Sequence, residues 1–211
     1  MQAACHWLDA NHEAVNALNV FPVPDGDTGT NMLMTMQDAC REIEQSANST
    51  AGSVFHAAAH GALMGARGNS GVILSQILRG MARVLANKVE TNAIDLADAL
   101  LAGCQTAYQG VQKPVEGTIL TVVKAAAEAA RQAAALEDDV AFVLDHTVRA
   151  AAETVEKTPS LLPILAQAGV VDSGGKGLFY ILESWLQYVR GEQGQQKPGL
   201  GERVRFAGHA E

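Results

Sequence analysis

The chain has 211 residues, of which 48% are hydrophobic and 18% charged, a composition typical of one globular domain rather than of a disordered segment. Its formal net charge of −8 argues against a nucleic-acid partner, although a nucleotide stays open as a ligand because a bound metal supplies positive charge locally. Scattered cysteines without a CxxC pair, and the absence of a signal peptide or an apolar stretch of membrane-spanning length, favour a cytoplasmic protein without a zinc site or disulfide framework.

Apolar residues recur at helical spacings through most of the chain, and no convincing strand pattern interrupts them. Helices are predicted over 3–18, 30–46, 53–64, 72–85, 92–109, 119–135, 138–157 and 178–190, with a short helical piece over 159–165. The short connections predict an all-α fold, an antiparallel bundle of about eight helices. We expect the helical domain to span 1–190 and the stretch 191–211 to be a flexible tail or the start of a linker. The first helix has no cap before it, which indicates a domain cut from a longer protein.

The segment 19–31 reads Asn-Val-Phe-Pro-Val-Pro-Asp-Gly-Asp-Thr-Gly-Thr-Asn and separates the first two predicted helices. Two prolines stiffen its first half, and Gly26 allows the carboxylates of Asp25 and Asp27 to turn toward a common point. Oxygen ligands of this kind suit Mg²⁺, which is commonly shared with substrate phosphates. The alternative is an ordinary turn, because aspartate is also favoured in turns and at helix N-caps.

Three further segments are rich in glycine, namely 65–71, 113–118 and 169–177. Alternate connections of an up-and-down helical array lie at the same end, which predicts that these segments share one rim with 19–31. Each leads into a helix N-terminus, where unpaired N–H groups attract anions. Gly68 and Gly71 would let the backbone approach phosphate oxygens, and the Ser70 hydroxyl would add a donor. For any one segment the alternative is a tight interhelical turn, but four together beside paired aspartates favour a site.

The motif over 19–32, together with Gly-Ala-Arg-Gly-Asn-Ser-Gly-Val-Ile-Leu-Ser-Gln over 65–76, closely resembles the N-terminal kinase domain of bacterial fatty acid kinases. More distantly, the chain resembles the nucleotide-binding subunit of dihydroxyacetone kinases, a DAK2 or DhaL-like domain. The resemblance covers about 1–190 and includes Glu-Gly-Thr at 116–118 and Asp-Ser-Gly-Gly-Lys-Gly at 172–177. It implies an antiparallel eight-helix barrel that binds ATP or ADP at one rim.

The resemblance also implies roles for individual residues. Asp25 and Asp27 would hold a pair of Mg²⁺ ions that bridge the phosphates. The dihydroxyacetone kinase pattern has a third aspartate at the place of Val20, so Asn19 or water would have to supply the third metal ligand. Arg67 is a candidate catalytic cation for the leaving phosphate, or simply an exposed arginine. The phosphates would be lined by Thr28, Gly29, Thr30, Asn31, Gly68, Asn69, Ser70 and Gly71, and the adenosine would be framed by Gly117, Thr118, Asp172, Gly174 and Gly175.

The implied reaction is ATP- and Mg-dependent phosphoryl transfer to the carboxylate of a fatty acid, which gives an acyl phosphate. A separate fatty-acid-binding carrier protein, DegV-like, would present the acyl chain, so this chain alone should bind ATP but turn over poorly. An ionised carboxylate needs no general base, and we interpret His56 and His60 as packing or surface residues. Two alternatives stay open: a subunit that phosphorylates a small ketone held by a partner, and a non-catalytic nucleotide-binding regulatory module. A homodimer is also left open.

Overall fold

The computed structural model describes residues 1–46 and 50–192. Within them the backbone forms nine α-helices and no strand, which confirms the predicted all-α class. In chain order the helices are α1 (Gln2–Asn16), α2 (Thr28–Gln45), α3 (Ala51–Met64), α4 (Gly68–Leu85), α5 (Ala93–Gly110), α6 (Ile119–Ala134), α7 (Val140–Leu161), α8 (Pro163–Ala168) and α9 (Ser173–Val189). From residue 193 onward the predicted tail lies outside the described residues. None of the described helices is long and apolar enough to cross a membrane.

Each long helix packs on the next one along the chain, and α9 packs on both α7 and α1. The helix contacts therefore run in a closed cycle around an apolar core, with the short α8 attached to α7. Small residues bring neighbouring helices close together, as predicted for the third helix. A β-carbon on Gly61 of α3, for example, would lie only 2.4 Å from the carbonyl oxygen of Asp38 in α2.

Three helices begin inside the segments 19–31, 65–71 and 169–177, which were interpreted as loops. The helices α2, α4 and α9 begin at Thr28, Gly68 and Ser173, whereas the expected starts were 30, 72 and 178. The predicted starts were wrong because glycine, serine and threonine are weak helix formers, and their presence counted against a helix. In a first turn that weakness matters little, since these residues allow close approach of a neighbour or bond to neighbouring backbone groups.

The region around Pro159 also differs from the prediction. The helix α7 continues through Pro159, and the short piece expected over 159–165 is replaced by a separate helix, α8. Proline has no N–H to donate to the carbonyl of Val155 one turn earlier, but the hydroxyl of Thr158 donates to that carbonyl at 2.6 Å. The hydrogen bond lost at the proline is thereby replaced, and Pro163 opens the next helix.

Candidate functional site

The first turns of four helices meet at one end of the bundle, as the alternation of connections predicts. Thr28 of α2 contacts two of the other segments: the Ser70 hydroxyl donates to its carbonyl at 3.4 Å, and the Ser173 hydroxyl donates to its hydroxyl at 3.2 Å. A β-carbon on Gly174, in the first turn of α9, would lie 3.3 Å from the side chain of Ile119 in α6. The rim therefore joins α2 to α4 and α9 by direct hydrogen bonds, and α9 to α6 by close packing.

The two aspartates lie on an exposed loop between α1 and α2. Gly26, with φ of +67°, stands between them, and both aspartate side chains are exposed to solvent. One buried side chain closes the loop: the amide of Asn19 donates to the carbonyl of Val23 at 2.9 Å and accepts the N–H of Asp27 at 3.3 Å. Among the described residues no backbone–backbone hydrogen bond involves 20–26. The shape of the loop therefore depends on Asn19.

The first turn of α2 is capped by a side chain of α1. The amide oxygen of Asn16 accepts the N–H of Gly29 at 2.8 Å and the N–H of Thr30 at 3.1 Å. Its amide nitrogen donates to the Thr30 hydroxyl at 2.9 Å, and the N–H of Asn31 donates to the carbonyl of Asp27. A phosphate at this turn would have to displace these bonds in order to use the same N–H groups. The predicted phosphate contacts of Thr28, Gly29, Thr30 and Asn31 stay predictions.

The first turn of α4 offers donors that are not engaged in this way. The N–H of Gly71 donates to the carbonyl of Arg67. Gly68 has φ of +58°, and a β-carbon there would lie 2.4 Å from the side-chain nitrogen of Asn31. Within the described part of the chain, the N–H groups that meet no acceptor at this turn are those of Gly68, Asn69 and Ser70. Because open N–H groups at a helix N-terminus bind anions, these predicted phosphate ligands are the best placed of the set.

The segment before α6 is held by its own side chains. Gly117, with φ of +82°, donates its N–H to the hydroxyl of Thr121 at 2.8 Å. The carboxylate of Glu116 accepts the hydroxyls of Tyr108 at 3.1 Å and Thr121 at 2.5 Å. Thr118 is buried and caps α6. Gly117 and Thr118 thus lie at the rim with their conformations fixed, and their contact with adenosine stays a prediction.

Asp172 and the glycines after it are buried where α9 begins. Asp172, 4% exposed, accepts the N–H of Gly175 at 2.7 Å through its carboxylate. Burial raises the pKa of Asp172 to about 6, against the opposing effect of the nearby backbone N–H groups of Gly175 and Ile119. A β-carbon on Gly175 would lie 2.8 Å from the side chain of Val122, and one on Gly174 would lie 3.3 Å from Ile119. These residues join α9 to α6, and a role in framing adenosine stays a prediction.

Arg67 stands at the start of α4, but its guanidinium lies beside α2. Its Nη2 atom is 4.0 Å from Oδ2 of Asp38, and half of the side chain is exposed. Asp38 follows Asp27 by 11 residues in the sequence, which corresponds to about 16 Å along the helix. In this conformation Arg67 does not reach the aspartate loop, so its predicted contact with the leaving phosphate requires the side chain to turn.

Two surface cavities have walls that include no residue of the aspartate loop. The larger one, of about 530 Å³, includes Glu42, His56 and His60 in its wall, and the smaller one, of about 220 Å³, lies beside Asp38 and Met64. The exposed carboxylates of Asp25 and Asp27 therefore lie outside both cavities. A phosphate chain bound by exposed carboxylates and helix N–H groups needs no deep cavity. His56 and His60 are exposed, in agreement with the surface interpretation.

The oxygen donors of the loop fit Mg²⁺ when the ion arrives with further ligands. Asp25 and Asp27 supply hard carboxylate oxygens, and Mg²⁺ usually keeps several waters and binds substrate phosphates in addition. No group of three or more His, Cys, Asp and Glu side chains is gathered anywhere in 1–46 and 50–192. The loop thus fits an ion that is completed by ATP and water rather than a closed protein cage. Asn19 as the third ligand stays a prediction.

Asn16 is the residue of the site that the sequence analysis misses. It stands at the end of α1, where an asparagine is common for reasons unrelated to any ligand. The available signal was the pair Asn16 and Asn19 placed directly before the aspartate loop. That signal becomes informative only when the crossing of α1 and α2 is known, because the partners of Asn16 lie 13 and 14 residues further along the chain.

Comparison with known proteins gives a family. The family model described as the DAK2 domain matches residues 22–187, which include the first turns of all four helices at the rim. Protein YloV of Bacillus subtilis (strain 168) is 49% identical over 210 residues, which cover 98% of this chain and 38% of that protein. An uncharacterized protein of Staphylococcus aureus (strain USA300) is 47% identical over 199 residues, which cover 94% of this chain and 36% of that protein. The chain therefore spans little more than a third of the length of these curated relatives.

Proposed function

The chain belongs to the DAK2 domain family, whose members are nucleotide-binding kinase subunits of the DhaL type, and on that premise we propose that it is the ATP-binding domain of a fatty acid kinase. The proposed reaction is transfer of the γ-phosphoryl group of ATP, with Mg²⁺, to the carboxylate of a fatty acid. Because the chain covers only part of its relatives, turnover is proposed to need a partner protein or further domains.

One observation carries the proposal: two exposed carboxylates lie next to a helix N-terminus with open donors. The Ser70 hydroxyl of α4 bonds the carbonyl of Thr28, the residue that follows Asp27. A phosphate chain placed across this junction would meet carboxylate-bound metal on one side and the N–H groups of Gly68–Ser70 on the other. Asp25 and Asp27 would hold a pair of Mg²⁺ ions, which neutralise phosphate charge when bound.

The residues of the chain position the phosphates and need not donate or accept a proton. A fatty acid carboxylate is already ionised at neutral pH, so its oxygen can attack the γ-phosphorus without a general base. The new bond joins that oxygen to phosphorus, the bond from phosphorus to the bridging oxygen breaks, and ADP leaves with the electron pair. Positioning and neutralisation of charge supply the rate enhancement in transfers of this type.

The acyl substrate is proposed to come from a separate DegV-like fatty-acid-binding carrier. Exposed apolar side chains near the aspartate loop and the α6 segment, Val23 at 56% and Val115 at 36% exposure, offer contact surface for such a carrier. This part of the proposal rests on the resemblance to fatty acid kinases, and so does the choice of a carboxylate as acceptor.

Transfer of labelled γ-phosphate tests the acceptor. The chain, labelled ATP and Mg²⁺ are incubated with a fatty-acid-loaded carrier, and in parallel with dihydroxyacetone and its binding subunit. We expect hydroxylamine-reactive acyl phosphate in the first mixture only. It should be lost in the double variant Asp25→Asn with Asp27→Asn and kept in Asp98→Asn, which changes an exposed aspartate of α5.

Other outcomes of this assay have defined meanings. A phosphorylated ketone without acyl phosphate would replace the fatty acid by a small ketone as the substrate. Label transfer to neither acceptor, with ATP binding intact, would favour a nucleotide-binding regulatory module. The first outcome contradicts the proposed acceptor, the second contradicts turnover with the carrier alone, and both leave the nucleotide site to be judged by its own binding data.

A further inference from the structure

Asp27 stands where aspartate normally caps a helix, yet its carboxylate makes no cap bond. Three helices follow an aspartate directly: α2 follows Asp27, α7 follows Asp139 and α9 follows Asp172. The carboxylates of Asp139 and Asp172 accept the N–H three residues later, at 2.6 Å and 2.7 Å. Aspartate does this commonly at helix starts. Asp27 is the exception, because its side chain has no cap hydrogen bond to α2.

The backbone of Asp27 differs in the same way. Asp139 and Asp172 have the extended conformation that turns a capping side chain back over the first turn, with ψ of 123° in both. Asp27 has φ of −121° and ψ of 1°. Its N–H is held by the amide oxygen of Asn19 at 3.3 Å, so the loop closure and this conformation are linked.

The N–H groups that Asp27 would cap are occupied by Asn16. A capping aspartate bonds the second or third N–H of its helix, which in α2 are those of Gly29 and Thr30. The Asn16 oxygen accepts both, at 2.8 Å and 3.1 Å, and its nitrogen is anchored by the Thr30 hydroxyl at 2.9 Å. The helix is thus capped by a residue of another helix.

We infer that Asn16 is a positioning residue, which takes over the cap of α2 and thereby leaves the Asp27 carboxylate free for a metal ion. Without Asn16, the two N–H groups of α2 would lose their acceptor, and the carboxylate of a preceding aspartate is an acceptor that such N–H groups commonly use. Asp27 would then turn inward, as Asp139 and Asp172 do, and would be lost to the ligand. The nature of that ligand, Mg²⁺ with ATP, rests on the proposed function, whereas the exchange of caps does not.

A stability cycle tests the exchange of caps without any ligand. The unfolding equilibrium constant is measured in urea for wild type, Asn16→Ala, Asp27→Ala and the double variant. If Asp27 becomes the cap only when Asn16 is absent, the increase in the unfolding equilibrium constant caused by Asp27→Ala should be about five-fold larger in the Asn16→Ala background than in wild type. In the Asn16→Asp background, which keeps an acceptor for both N–H groups, the increase should return to the wild-type value. An equal increase in all backgrounds would overturn the inference.

Calorimetry then tests the consequence for the ligand. ATP binding with Mg²⁺ is expected to weaken about ten-fold in Asn16→Ala, a typical effect of removing a residue that orients a metal ligand. Asn16→Asp should restore most of the affinity. The matched control is Asn92→Ala, which removes the asparagine that caps α5 by accepting the N–H of Asp95 at 2.9 Å. This control should lose stability without losing affinity for ATP.

The two experiments separate the possible failures. Absence of ATP binding by the wild type would contradict the proposed function, while the stability cycle would still show whether Asp27 replaces Asn16 as the cap of α2. Additive effects of Asn16→Ala and Asp27→Ala on stability, with intact ATP binding, would contradict the inference about Asn16 and leave the proposed function unaffected. Equal losses of affinity in Asn16→Ala and Asn92→Ala would reduce Asn16 to a purely structural residue and would also overturn the inference.

Discussion

Asn19 uses both ends of its side-chain amide inside the aspartate loop, and the side chain is 6% exposed. In Asn19→Asp the nitrogen that donates to Val23 becomes an oxygen, which would face the Val23 carbonyl and leave it without its donor. We expect the Mg²⁺-dependent affinity for ATP, measured by calorimetry, to fall about ten-fold, because the loop that carries both metal ligands is no longer held closed.

The opposite result would give Asn19 a different role. A carboxylate binds Mg²⁺ at least as well as an amide oxygen does, so a direct metal ligand at this position would keep or improve the affinity in Asn19→Asp. Affinity equal to or higher than that of the wild type would therefore contradict the account of Asn19 as the tie of the loop.

Asp172 gives the stability of the chain a defined dependence on pH. Burial raises its pKa from the ordinary 3.8 to about 6, so between these values the folded chain keeps a proton that the unfolded chain has lost. The free energy of unfolding therefore falls as pH rises through this interval and levels off above it. The total loss amounts to about 3 kcal/mol.

The variant Asp172→Asn isolates this contribution, because asparagine retains an oxygen acceptor and does not titrate. We expect its free energy of unfolding, measured in urea across the same interval, to lack the fall that the wild type shows. An identical pH dependence in the wild type and the variant would mean that Asp172 titrates alike in the folded and unfolded chains.

At the scale of the helices, α1 and α2 cross so closely that only glycine fits at one point. A β-carbon on Gly29 would lie 2.2 Å from the backbone carbonyl oxygen of His12, whereas one on Gly26 would have no atom within 4 Å. Gly29→Ala must push the two helices apart, and we expect it to lower the free energy of unfolding by about 3 kcal/mol. Gly26→Ala should lower the free energy of unfolding by about 1 kcal/mol, because alanine is strained only by the left-handed backbone conformation at this position.

Urea unfolding of both alanine variants decides this point. A small and equal decrease in the free energy of unfolding at the two positions would show that the crossing of α1 and α2 can accept a β-carbon at residue 29. The comparison matters for the site, because the same crossing brings Asn16 within reach of the first turn of α2.

The helices themselves were predictable, because apolar periodicity along each one reports the face that must be buried. Their first turns were not, since the benefit of glycine or serine there comes from a neighbour that is distant in sequence. Gly71 is an example: a β-carbon on it would lie 2.4 Å from the hydroxyl oxygen of Thr35 in α2. The continuation of α7 through Pro159 depends in turn on a hydroxyl that replaces a backbone donor.

At the scale of the whole molecule, the meeting of four helix N-termini follows from antiparallel packing with short connections, and it was predicted on that ground. Whether each N–H group at the rim is already hydrogen-bonded could not be predicted in the same way. In the sequence, the first turn of α4, whose N–H groups are unpaired, and the first turn of α2, whose N–H groups are bonded to Asn16, look equally suited to phosphate. The position of Arg67 beside Asp38 likewise depends on where the helices cross.

The central claim is that the Asp25 and Asp27 loop binds ATP through Mg²⁺, and calorimetry of ATP with and without Mg²⁺ tests it most directly. We predict that Mg²⁺ strengthens ATP binding by the wild type and by Asp98→Asn alike. In the double variant Asp25→Asn with Asp27→Asn, the Mg²⁺-dependent affinity should fall about 100-fold. Failure of the wild type to bind ATP, or undiminished Mg²⁺-dependent binding by the double variant, would contradict the claim.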